Sequence, residues 1–141
     1  LSNQQLVIRI EARVSALPEL LDRLEVYCDE MELSPRVGHR LTIVCEELAA
    51  NVAMHGAEGE GGATYVEIAV DCHGGTLYLS IQDDGRPFDP LSQAPPDTAL
   101  NLEDRKIGGL GIHFVRNMVQ DITYERTDTL NRLTARLSTT E

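Results

Sequence analysis

Glu47 and Asn51 stand four residues apart in Cys45-Glu46-Glu47-Leu48-Ala49-Ala50-Asn51-Val52-Ala53-Met54-His55-Gly56. The stretch reads as helix, and that spacing sets a carboxylate and a carboxamide on one face. Leu41, Val44, Cys45, Leu48 and Val52 give the same helix an apolar stripe. An acid and an amide at the edge of such a stripe suit a general base beside a magnesium ligand. They also suit the polar face of any amphipathic helix. Only Glu47, not Glu46, keeps the four-residue spacing to Asn51.

A second region, Ile81-Gln82-Asp83-Asp84-Gly85-Arg86-Pro87-Phe88-Asp89-Pro90, carries an acid in an apolar pattern. Asp83 shares parity with Leu77, Leu79 and Ile81. If the strand persists that far, its carboxylate turns to the buried side. There it needs a donor, since a buried unpaired charge costs several kcal/mol; an adenine amino group would serve. If the strand ends at Gln82, Asp83-Asp84-Gly85 is only a turn. A third region, Arg105-Lys106-Ile107-Gly108-Gly109-Leu110-Gly111-Ile112-His113, leads three glycines into a helix. Bare backbone amides at a helix start can wrap phosphate oxygens. Arg105 and Lys106 add local positive charge. The spacing is neither a Rossmann fingerprint nor a P-loop.

The elements that must position these residues follow from periodicity. Gln5–Glu11 alternates as a strand, with Leu6, Ile8 and Ile10 on one face. Leu17, Leu20, Leu21, Leu24, Cys28 and Met31 recur at helical spacing. Ser34-Pro35 opens a helix that runs to about His55. Residues 56–62 read as a flexible, glycine-rich acidic connection. Thr64–Cys72 alternates, His73-Gly74-Gly75 signals a hairpin, and Leu77, Leu79 and Ile81 line the returning strand. Pro87–Ile107 holds Pro87, Pro90, Pro95 and Pro96 and reads as a long loop. A short helix over Leu110–Val119 and strands near Ile122–Arg126 and Arg132–Leu137 follow. This order predicts an α/β fold, a two-layer α/β sandwich with a mixed, mostly antiparallel sheet and helices on one face. The other sheet face, with Arg9, Glu67, Asp71, Gln82, Arg132 and Arg136, is expected to be solvated.

The 141 residues suit a single domain spanning 1–141. A net charge of −11 argues against nucleic acid and anionic membrane as partners. An anionic nucleotide would need a cation and a locally basic loop. No apolar run approaches the length of a membrane span. Cys28, Cys45 and Cys72 have no paired spacing and read as reduced core thiols, which predicts a cytoplasmic protein without a zinc site.

Taken together, Glu47-x-x-x-Asn51 with His55-Gly56, Asp83-x-Gly85-x-Pro87-Phe88-Asp89-Pro90, and Gly108-Gly109-Leu110-Gly111-Ile112 resemble the nucleotide-binding boxes of the GHKL ATP-binding superfamily, whose fold is the Bergerat fold. Within it the chain is most similar to stand-alone anti-sigma-factor serine/threonine-protein kinases of the RsbW and SpoIIAB type. Pro87 stands where gyrase-type members often carry a second glycine, which fits the anti-sigma type. The resemblance implies ATP and Mg²⁺ as ligands. It implies Asn51 as the metal ligand and Glu47 as the base that takes a proton from an attacking hydroxyl. It gives Asp83 the adenine amino group and Gly85 the close backbone approach to the base. It gives Gly109, Leu110 and Gly111 backbone approach to the phosphates, with Arg105 and then Lys106 as lid contacts. The implied partners are a STAS-domain anti-sigma-factor antagonist, a sigma factor and a second copy of the chain as a homodimer. An ATP-dependent binding module without phosphotransfer, or the catalytic part of a histidine kinase, would carry the same boxes.

Overall fold

The structure, a computed structural model, describes residues 4–92 and 111–140. Strand β1 (Gln5–Glu11) leads through a short 3-10 turn to helices α1 (Leu17–Glu30) and α2 (Pro35–Asn51). The hairpin β2 (Tyr65–His73) and β3 (Thr76–Asp83) follows, then helix α3 (Gly111–Met118) and the hairpin β4 (Asp121–Thr127) and β5 (Leu130–Ser138). The five strands form one sheet in the order β1-β2-β3-β5-β4. All four neighbouring pairs are antiparallel, so the expected α/β sandwich has its sheet at the antiparallel extreme.

Alternation places the strands in register with their burial. In β1, Leu6, Ile8 and Ile10 are buried while the residues between them are exposed. Val66, Ile68, Val70, Leu77, Leu79, Ile81, Leu133, Ala135 and Leu137 continue that inner face. Against it lie Leu20 and Leu24 of α1, Leu41, Val44, Cys45 and Leu48 of α2, and Ile112 and Val115 of α3. Each large side chain taken fully from water stabilises the fold by about 1.5–3 kcal/mol. Tyr27, absent from the helical spacing read above, is buried in the same layer. Its hydroxyl donates to the Gln4 carbonyl at 2.7 Å, and burial pushes its pKa up to about 12. Cys45 is fully buried, Cys28 and Cys72 partly so, and all three are free thiols.

The outer sheet face is polar as expected. Arg9 pairs with Glu67 at 3.2 Å and stacks over Tyr65, Arg132 donates to Gln82 at 2.7 Å, and Arg136 pairs with Asp121. Among the described residues no helix is long and apolar enough to cross a membrane.

Local signals act where they were read. The Ser34 hydroxyl accepts from Val37 N at 3.2 Å and Pro35 fills the first turn of α2. Gly74 and Gly75, at φ +52° and +82°, make the two-residue turn that pairs His73 with Thr76. Two features differ from expectation. After Asn51 the helix widens into a π-helical turn over Val52–Gly56, a form that recurs at functional sites. The connection over residues 56–62, expected to be flexible, is pinned instead. The Arg86 guanidinium donates to the carbonyls of His55, Glu58 and Glu60, and Arg86 N donates to Gly61 O at 2.8 Å.

Candidate functional site

The site lies where the end of α2 faces the end of β3. Strand β3 runs through Asp83, which pairs with Val66 on one side and Asn131 on the other. The parity read from the sequence therefore carries the carboxylate inward, and Asp83 is 5% exposed. Its Oδ1 accepts from Gly85 N at 2.9 Å and from Asn131 Nδ2 at 3.0 Å. Burial raises its pKa; those two donors and Arg126 oppose the rise, and neighbouring Asp84 adds to it. Both bonds fall on one oxygen, and among the described residues Oδ2 accepts none.

Asn51 faces Asp83 across one small cavity, walled also by Leu48, Phe88, Pro90, Tyr124 and Asn131. The cavity measures about 10 Å³, room for roughly one water. A purine does not fit the cavity at this size. Asn51 is 2% exposed, yet among the described residues neither Nδ2 nor Oδ1 has a hydrogen-bond partner. An unsatisfied buried polar group costs about 1–3 kcal/mol. A bare amide oxygen held there fits a hard cation. Among the described residues no three His, Cys, Asp or Glu side chains cluster to hold a metal. Phosphate oxygens and waters would supply the remaining ligands.

Glu47 lies one turn before Asn51 and is half-buried. Burial, and next to it Glu46, raise its pKa above the ordinary carboxylate value. Gly111, the first residue of α3, abuts it: a Cβ on Gly111 would lie 2.0 Å from Glu47 Oε2. Gly85 is equally confined, since a Cβ there would sit 2.9 Å from Ala63 N and 3.0 Å from Asp83 Oδ1. Arg105, Lys106, Gly109 and Leu110 lie outside the described residues.

The sequence reading missed the contribution of the last hairpin. Asn131 is 3% exposed and bonds on every side. Its Nδ2 also donates to Arg86 O at 2.8 Å, and its Oδ1 accepts from Phe88 N at 3.2 Å and from the Tyr124 hydroxyl. Arg126 donates to Gly85 O at 2.7 Å. Asp84, passed over as a turn residue, accepts from Thr64 N at 2.7 Å, the Thr64 hydroxyl and Tyr65 N. Burial works to raise its pKa, but those donors together hold it below the usual value. The only advance signal for Asn131 was a polar residue at an inward parity position of β5.

Comparison with known proteins came out consistently. Residues 10–137 match the family described as the histidine kinase-like ATPase domain. Serine/threonine-protein kinase BtrW of Bordetella bronchiseptica is 29% identical over 101 residues, covering 72% of this chain and 70% of that protein. The anti-sigma F factor of Heyndrickxia coagulans is 23% identical over 135 residues, covering 93% and 82%. Among solved structures, the RsbU and RsbW domains of a Mycobacterium tuberculosis protein give a TM-score of 0.68 at 14% identity, over 96% of this chain and 32% of that one. The SiaB–SiaC complex of Pseudomonas aeruginosa gives 0.60 at 18% identity, over 94% and 88%. At these identities the structural likeness is one of fold.

Proposed function

The chain belongs to the histidine kinase-like ATPase domain family, and from that premise we propose that it is an ATP-dependent serine/threonine-protein kinase of the anti-sigma-factor type. Its substrate would be a STAS-domain anti-sigma-factor antagonist. The same protein, as a cytoplasmic homodimer, would sequester a sigma factor. The observation that carries the reading is the facing pair across one cavity. A carboxylate with an oxygen to spare stands opposite a buried amide that has no partner among the described residues.

Each residue then has a task. Asp83, fixed through Oδ1, offers its other oxygen to the purine amino group, and Gly85 leaves room for the base. Asn51 Oδ1 holds Mg²⁺, which when bound neutralises charge on the triphosphate. The amides of Gly109, Leu110 and Gly111, with Arg105 and Lys106, receive the phosphate oxygens. Glu47 accepts the proton of the serine or threonine hydroxyl. The hydroxyl oxygen bonds the γ-phosphorus, and the bond from that phosphorus to the bridging oxygen breaks to release ADP. Burial of Glu47, and next to it Glu46, raise its pKa and so its affinity for that proton.

Labelled ATP mixed with purified chain and candidate STAS-domain proteins tests this. Asn51→Ala and Asp83→Ala should lose Mg·ATP binding. Glu47→Gln should bind nucleotide and transfer nothing. Tight binding by the unaltered chain with no labelled partner would instead mark an ATP-dependent binding module.

A further inference from the structure

The loop that ends β3 is bonded to the end of α2 through one residue, Arg86. Its side chain is exposed, yet guanidinium, N–H and carbonyl are all engaged. The guanidinium donates through Nη2 to His55 O at 3.3 Å and through Nη1 to the carbonyls of Glu58 and Glu60. The backbone N–H donates to Gly61 O at 2.8 Å. The carbonyl accepts from Asn131 Nδ2 at 2.8 Å, and that same nitrogen donates to Asp83. Arg86 therefore touches the helix end, the connection after it and the network that fixes the Asp83 carboxylate.

The helix end needs such a partner. The last carbonyls of a helix lack donors within it and carry the negative end of its dipole. Ala63 N donates to Gly56 O at 2.8 Å, and Arg86 brings a full positive charge to His55 O. The turn they close is the π-helical one over Val52–Gly56, a rare form that is held here from outside the helix. Asn51 is the last α-helical residue before it. The pitch changes at the next residue, so the path of Val52–Gly56 governs where the Asn51 amide points. His55 lies four residues on, about one turn or roughly 5 Å along the axis. Phe88 adds a second contact from the same loop. Its ring centroid lies 6.4 Å from that of His55, and it also walls the cavity that Asn51 faces.

We propose that Arg86 is a positioning residue for the metal. Its guanidinium sets the π-helical turn and through it aims the Asn51 amide oxygen, so that the metal end of the nucleotide cavity is tied to the base end. This deepens the nucleotide-binding reading, on which only the identity of the ion rests; the link from Arg86 to Asn51 stands on the bonds themselves. A substitution at Arg86 removes the guanidinium and keeps the backbone groups. The bond to Asn131, and with it the setting of Asp83, survives. The two ends of the cavity therefore come apart in such a variant: the base end persists and the metal end weakens.

The test compares the unaltered chain with Arg86→Gln and Arg86→Lys. Adenosine binding without metal reads the base end, and Mg²⁺ affinity at saturating ATP reads the metal end. The NMR signal of the Asn51 side-chain amide, assigned by its absence in Asn51→Ala, is followed in protein without nucleotide. Arg86→Gln should bind adenosine as the unaltered chain does and lose about 10- to 100-fold in Mg²⁺ affinity. Its Asn51 amide signal should move, and amide exchange over residues 52–62 should quicken. Arg86→Lys keeps the charge without the planar fork, so it should recover part of the Mg²⁺ affinity. If the glutamine variant does not fold, the lysine variant carries the same comparison. Equal losses of adenosine and Mg²⁺, or Mg²⁺ affinity untouched by the substitution, overturn the proposal. An unaltered chain that binds neither adenosine nor Mg·ATP sinks the nucleotide reading instead. The Asn51 amide signal must still move in Arg86→Gln, and if it stays in place the proposal fails on its own account.

Discussion

Gly111 at the start of α3 comes so close to Glu47 that a single added methyl would lie 2.0 Å from its Oε2. The threatened atom is the end of a flexible side chain, so the carboxylate, not the backbone, should give way. Gly111→Ala is expected to fold normally and to displace the base. A misplacement of about 1 Å can cost roughly 10²-fold in rate. Phosphotransfer should fall by about that factor while Mg·ATP binding weakens far less. Single-turnover rates and nucleotide titrations separate the two effects. An unchanged rate would remove Glu47 from the chemistry.

Asn51 supplies a test in the opposite direction. Its buried amide has no partner among the described residues, so an apolar side chain of similar size should improve the fold while removing the site. Asn51→Leu should raise unfolding stability without nucleotide by about 1–3 kcal/mol. Mg·ATP should no longer stabilise it. Urea unfolding with and without Mg·ATP checks both. A less stable variant would mean that the amide is satisfied in the folded protein.

Asn131 holds Asp83 and the loop after β3 in one network. Asn131→Ala strands the partners of that network and should weaken both stability and ATP affinity. Asn131→Asp is more diagnostic. Two carboxylates within hydrogen-bond reach cannot both ionise easily, which raises a pKa of the pair. ATP affinity should then carry a pH dependence that reaches higher pH than in the unaltered chain. Calorimetric titration between pH 5 and pH 8, about the window such pairs occupy, would show it.

Gly85 faces backbone rather than a side-chain tip. A Cβ there meets Ala63 N at 2.9 Å, so the strand end must shift. Gly85→Ala should cost about 1–3 kcal/mol, the usual range for overpacking, and should weaken nucleotide binding as well. Chemical denaturation of the variant measures the first and a nucleotide titration the second.

Acid stability should divide between Asp84 and the two site carboxylates. Asp84 titrates below its unfolded value of about 3.9, so its contribution is present above that pH and is lost as pH falls through the folded value. Asp83 and Glu47 titrate above theirs. What they add is present below the unfolded values and is lost as pH rises through the folded ones. The stability gap between the unaltered chain and Asp84→Asn should therefore be full at neutral pH and close below about pH 4. Unfolding midpoints across that range decide it, and a gap that does not narrow at all as pH falls below about 4 would contradict it.

Much of this was legible in the chain because it rests on short-range rules. The apolar stripe of α2, the Ser34 cap, the glycine hairpin and the inward parity of Asp83 each depend on residues a few positions apart. Asn131 was not legible, because its meaning arises only when β5 aligns with β3 across 48 residues. The pinned connection over 56–62 failed for the same reason. Glycines and acids suggested slack, while the tether, Arg86, comes from another strand's end. The π-helical turn has no local marker, since its residues also suit an ordinary helix.

One wall of the nucleotide cavity belongs to the sheet and the other to a helix. Anything lodged there is a cross-brace between layers whose main bond is otherwise greasy contact. At a hundred times its dissociation constant such an occupant would tighten the whole domain by about 2.7 kcal/mol. Cellular nucleotide levels would thereby set how stiffly the sheet and the helical layer grip each other, and amide hydrogen exchange along α2 and β3 should slow together when the brace is in.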